Sequence, residues 1–104
     1  MSFAENLKKI PPVAHLEKLE LLRADGAIEA TIENKPGQAG SLAVYAYLGS
    51  KYGVVHADAA AEGLELYAEH AFDARSNPGK HPNIDRLLRI HTENLRFLVR
   101  VIRK

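Results

Sequence analysis

Cysteine is absent from this sequence of 104 residues. Its absence removes disulfides, thiolate nucleophiles and cysteine-type zinc sites together. Net charge is nearly absent too, with 14 Lys and Arg against 13 Asp and Glu for a formal +1. So weak a field argues against a protein whose main business is the phosphate backbone of a nucleic acid. No apolar run approaches the roughly 20 residues that cross a bilayer. Residues 1 to 10 are charged and amphipathic, unlike a secretory leader. A cytoplasmic protein without a membrane partner is the expectation.

What is present is average for a globular chain, at 46% hydrophobic and 26% charged residues. A chain of this length buries an adequate core without metals or staples, so a single domain over residues 1–104 is expected. Ser2-Phe3-Ala4-Glu5 has capping-box spacing and predicts a short helix with Phe3, Leu7 and Ile10 on one face, ended by Pro11-Pro12. Residues 15 to 24 have good helix propensity, but Asp25-Gly26 is a strong two-residue hairpin signal, and residues 27 to 33 alternate with period two. The hairpin reading wins. It pairs Ala24 with Ala27, Arg23 with Ile28, Leu21 with Ala30, Leu19 with Ile32 and Lys18 with Glu33, and it turns Leu19, Leu21, Ile28, Ala30 and Ile32 to one face.

A breaker-rich stretch, Asn34-Lys35-Pro36-Gly37-Gln38-Ala39-Gly40-Ser41, separates the hairpin from mostly helical sequence. Ser41 is expected to cap an apolar helix that stops at Gly53. A longer helix should run from about residue 58 to 75, with Ala60, Ala61, Leu64, Ala68 and Ala71 inward. A second breaker cluster, Ser76 to Asn83, precedes a third helix over residues 84 to 92, with Asn83 as cap and His91 on its apolar stripe. Residues 95 to 104 alternate again and predict a third strand, its outward arginines opposite the outward glutamates of the hairpin. The expected fold is therefore α+β, in the order α-β-β-α-α-α-β, with a small antiparallel three-stranded sheet packed with helices.

The two breaker clusters share a composition of Asn, Lys, Pro and Gly. Brought together by the fold, Lys35, Gly37, Gly40, Ser41, Lys80 and His81 would form a pocket for an anion such as phosphate or carboxylate, with His81 as an acid or base beside Asp85. The competing reading is plain turns with a charged first helical turn. Gly37-Gln38-Ala39-Gly40 lacks both the Gly-Lys-Ser/Thr ending of a P-loop and the three glycines of dinucleotide folds. None of the five histidines stands in metalloprotease spacing. His70 with Glu69 and Asp73 is the nearest approach to a ligand set, on what otherwise reads as a solvated acidic face. No metal and no cofactor is expected. Arg96, Arg100, Arg103 and Lys104 lack interleaved aromatics and have glutamates to pair with, so nucleic acid is not an expected partner.

Leu22, Leu98 and Ile102 fall on the outer face of the sheet. They call for cover, from the first helix or from a second copy of the chain. The segments Ile32-Glu33-Asn34-Lys35-Pro36-Gly37-Gln38-Ala39-Gly40-Ser41-Leu42-Ala43-Val44-Tyr45 and Asn77-Pro78-Gly79-Lys80-His81-Pro82-Asn83-Ile84-Asp85-Arg86-Leu87-Leu88 resemble a family of small uncharacterised bacterial proteins, a domain of unknown function, over nearly the whole chain. The resemblance implies a bacterial, cytoplasmic, single-domain protein and supplies no catalytic residues. The preferred reading is a non-catalytic binding or interaction module, homodimeric through the sheet face. The alternative is a small enzyme or sensor for an anionic metabolite at the two Pro-Gly loops.

Overall fold

The capping box at Ser2 forms as its spacing requires: Ser2 Oγ accepts the Glu5 N–H at 3.2 Å and Glu5 Oε1 accepts the Ser2 N–H at 3.0 Å. The computed structural model describes residues 1–104. It begins with α1 (Phe3–Leu7), β1 (Leu16–Leu22) and β2 (Ile28–Glu33). Lys18–Glu33, Leu19–Ile32 and Leu21–Ala30 pair in the expected register. Closer to the turn the register departs from expectation. The Arg23 N–H donates to Ala27 C=O and the Gly26 N–H to Arg23 C=O, so the loop holds residues 24–26 instead of two. Gly26 takes the left-handed conformation at φ +89° that this longer turn demands. The Asp25 carboxylate supports it by accepting the Ala27 N–H at 2.9 Å.

A bulge between Leu21 and Leu22 restores the register and pairs Leu22 with Ile28, so the expected Arg23–Ile28 and Ala24–Ala27 pairs are replaced. Ile28 consequently turns to the outer face, 48% exposed, not to the core. Glu29, the residue gained by β2, reaches the Arg23 guanidinium at 2.7 Å.

The chain continues through α2 (Ala39–Tyr52), β3 (Val54–Val55), α3 (Ala57–Tyr67), α4 (Glu69–Ser76), α5 (Pro82–Glu93) and β4 (Phe97–Arg103). The sheet is antiparallel with four strands in the order β2-β1-β4-β3, one more than the alternation predicts. β3 is two residues long, too short to show a period. It forms because α2 stops at Gly53 and delivers Val54 and Val55 beside Leu98 and Phe97 of β4. The helix expected over residues 58 to 75 is broken. Ala68 sits at φ 51°, ψ −116°, and separates α3 from α4.

α2 packs on all four strands, and α3 lies against α2 and α5. Leu19, Leu21 and Ile32 from the sheet and Leu42, Val44, Tyr45 and Leu48 from α2 are fully buried, and Leu87 and Ile90 of α5 join them. Burying a Leu or Ile side chain contributes about 1.5–3 kcal/mol, so α2, packed from both sides, is the stable centre. His91 is exposed, contrary to expectation, because Ile90 takes the inward position and the His91 ring only approaches the Ala57 carbonyl at 3.3 Å.

On the outer face the expected charge pairing is present: Arg100 stands opposite Glu20 and reaches its Oε1 at 2.6 Å. Beside it, Ile28, Leu22, Leu98 and Val54 pair successively across all four strands. α1 packs on α3 and α2, and in this row Ile28 and Leu98 are exposed, Leu22 is half-buried and Val54 is buried. No helix is long and apolar enough to cross a membrane.

Candidate functional site

The breaker clusters of residues 34–41 and 76–83 are far apart in sequence, and the fold brings them together. Asn34 anchors the first by donating from Nδ2 to the carbonyls of Leu16 at 2.8 Å and Val13 at 3.1 Å. The buried Tyr45 hydroxyl ties α2 to the second by donating to the Asn83 carbonyl at 2.6 Å, while Arg86 donates to the same hydroxyl at 3.2 Å. Burial pushes the Tyr45 pKa up to about 12 against the opposing pull of Arg86, so the phenol stays a donor.

Between the clusters lies a cavity of about 450 Å³. One wall is apolar, from Phe3 and Leu7 of α1 with Ile84. The first loop and the start of α2 contribute Gly37, Ala39, Gly40 and Ser41, and the second loop and the start of α5 contribute Lys80, His81, Pro82 and Asn83. Tyr67 and His70 close the ring. Gly40 lets Phe3 approach closely, since a Cβ there would lie 3.0 Å from Phe3 Cζ and the ring would have to give. Phe3 in turn stacks on Tyr67 at 5.2 Å between centroids and meets the His70 ring edge-on at the same separation.

Five of the residues proposed from sequence, Gly37, Gly40, Ser41, Lys80 and His81, therefore line one cavity. Lys35 does not line it; its ammonium pairs with Glu33 at 2.7 Å on the exposed side of the loop. Ser41 does not cap α2, which starts two residues earlier after Gln38; its Oγ instead accepts the Tyr67 hydroxyl hydrogen at 2.6 Å. Burial raises the Tyr67 pKa well above the ordinary phenol value and keeps that hydrogen in place. Asn83 does not cap α5 either, because Pro82 takes the first helical position and His81 the cap. Neither Gln38 nor His81 makes a side-chain capping bond. The N–H groups of Gly40, Ser41 and Asn83 consequently have no acceptor within the protein.

The partner of His81 is Asp73, not Asp85, which instead accepts the Gly79 N–H at 2.9 Å. His81 Nε2 lies 2.6 Å from Asp73 Oδ2, and Lys80 Nζ lies 3.0 Å from the same oxygen. The His81 hydrogen bond, followed by that of Lys80, holds the Asp73 carboxyl below the usual carboxylate range. Asn77 Nδ2 donates to Asp73 Oδ1 at 3.0 Å and fixes its other oxygen. An ionised carboxylate only accepts, so Nε2 carries the hydrogen and, in the neutral ring, Nδ1 carries the lone pair. The His70 ring lies 5.9 Å from that of His81. Glu69 accepts the Phe3 N–H at 2.8 Å, which depresses its pKa and docks α1 on α4.

Sequence reasoning put Asp73 on an acidic outer face and missed Phe3 and Tyr67. The Asp73–His81 contact depends on the turn at Ala68, which no residue pattern announces. No three His, Asp or Glu side chains cluster in a way that would hold a metal ion.

An α+β domain with an open four-stranded sheet, and a cavity where two helix starts meet, defines the class. The chain belongs to the bacterial family described as "Uncharacterized protein conserved in bacteria (DUF2322)", which it matches over residues 3–101. No curated protein and no solved structure matches it.

Proposed function

We propose that this protein binds a small anionic metabolite in the cavity between its two Pro-Gly loops. The observation that carries the reading is convergence: the first turns of α2 and α5 line the same space together with Lys80, His70 and His81. The positive ends of two helix dipoles and three free N–H groups favour an anion there, and Lys80, paired with Asp73 at 3.0 Å, adds a cation to the lining. The apolar wall of Phe3, Leu7 and Ile84 accommodates a carbon skeleton attached to that anion.

The test is a thermal-shift screen with phosphorylated and carboxylated metabolites, followed by titration. A ligand at about 100 times its Kd stabilises by about 2.7 kcal/mol. Lys80→Ala should weaken a hit about tenfold, equal to the loss of about 1.4 kcal/mol, while Lys35→Ala leaves it unchanged. Equal effects of the two substitutions would overturn the site.

The outer sheet face supports a second reading, self-association in the cytoplasm. Ile28 and Leu98, 48% and 46% exposed, flank the half-buried Leu22 on this face. A second copy, carrying the same row beside the same Glu20–Arg100 pair, suits it in isologous pairing. Sedimentation at micromolar concentration should give a dimer that Leu98→Glu dissociates. A monomeric parent protein overturns this reading.

A further inference from the structure

We propose that the cavity is catalytic, with His81 as a general base for proton transfer at a carbon next to the carbonyl of an anionic ketone or 2-oxo acid. The proposal rests on the binding reading above and goes beyond it. Asp73 fixes the His81 tautomer at 2.6 Å, and Lys80 and Asn77 hold Asp73 in turn. The ring lines the cavity, and its Nδ1 has no partner in the protein. A carboxylate-oriented imidazole with one unpartnered nitrogen, on a residue that lines a ligand space, is the arrangement general-base catalysis requires.

The rest of the lining selects the kind of reaction. Ser41 carries the one aliphatic hydroxyl of the lining, but its Oγ accepts from Tyr67 and makes no hydrogen bond to His81, so nothing activates it as a nucleophile. The free N–H groups of Gly40, Ser41 and Asn83, with Lys80, supply donors for a developing oxyanion. In the step, the carbon–hydrogen bond breaks and its proton passes to His81 Nδ1. The electron pair forms a carbon–carbon double bond as the carbonyl pair moves onto oxygen. Return of a proton to the same carbon gives exchange. Where that carbon also bears a hydroxyl, as in dihydroxyacetone phosphate, the intermediate is an enediolate. Passage of the hydroxyl proton to the former carbonyl oxygen, with protonation of the former carbonyl carbon, then gives the aldehyde isomer. No oxidant or co-reactant is consumed. Asp73 acts through His81 and is a positioning residue.

The experiment follows loss of the carbon-bound proton signal by NMR in deuterium oxide, using 2-oxobutyrate and dihydroxyacetone phosphate as probes, with binding read in parallel from amide shifts. The wild-type protein should exchange the proton faster than buffer alone. His81→Gln should lower the rate about a hundredfold or more with binding retained. Asp73→Asn should lower it and also move the midpoint of its pH profile, which a merely structural loss would not do. A probe that binds without exchange, or exchange that survives His81→Gln, overturns the catalytic assignment and leaves the binding site standing. Failure of both probes to shift the amides of residues 37–41 and 80–84 overturns the assignment together with the reading beneath it.

Discussion

The two Pro-Gly loops have nearly the same composition and use it oppositely. In the first, Lys35 is spent on Glu33 at the surface, and what reaches the cavity is Gly37, Gly40 and the start of α2. The second brings charged side chains to it, with Lys80 and His81 gathered on Asp73. The anchors differ in kind too. Asn34 pins the first loop to the chain entering β1, while Asp73 and Asp85 pin the second to its own flanking helices. Position relative to the helix start decides the use of a lysine. Lys80 directly precedes the cap residue of α5, whereas Lys35 lies three residues before that of α2.

The contrast is broken most severely at its long-range anchor. Asn34→Ala removes two hydrogen bonds, though the Val13 carbonyl keeps the Leu16 N–H, and should cost about 2 kcal/mol in urea denaturation. Tyr45→Phe removes the bond that holds the second loop to α2 and should cost about 1–2 kcal/mol, with amide exchange near residues 80–83 accelerating more than in β1. Acid unfolding sharpens the comparison further. The folded pKa of Asp73 lies below its ordinary 3.8, so its contribution is present above that value and is lost as pH falls through the folded one. Asp73→Asn should therefore flatten the stability curve below about pH 4, a change read by circular dichroism across a pH series. The smallest effect belongs to Lys35→Ala, within about 0.5 kcal/mol of the parent, because its exposed ion pair is screened by solvent.

Where a period existed, the fold was legible. Leu19, Leu21, Ile32 and Phe97 went inward as alternation required, and Glu20 met Arg100 across the strands. The hairpin was readable against helix propensity because a Gly next to Asp marks a reversal. Its loop length was not, since the type of turn depends on how Asp25 and Gly26 share hydrogen bonds with Arg23 and Ala27. Ile28 was misplaced for that reason alone. Val54 and Val55 carry no period over two residues. The candidate site was half legible, because loop composition marked Gly37, Gly40, Lys80 and His81. The partner of His81 was hidden, since Ala68 has good helix neighbours on both sides and gives no sign of breaking.

That alanine holds a backbone angle that L-residues rarely adopt. Were residues 57–76 one straight rod, Asp73 would sit about 9 Å further along the axis than Tyr67, at 1.5 Å per residue, and would leave His81 and Lys80 without their counter-ion. The turn at this one residue thus decides whether Asp73 meets His81 and Lys80 at all. Glycine at position 68 would occupy the same bend with less strain, so a sturdier protein with an unaltered cavity lies one codon away.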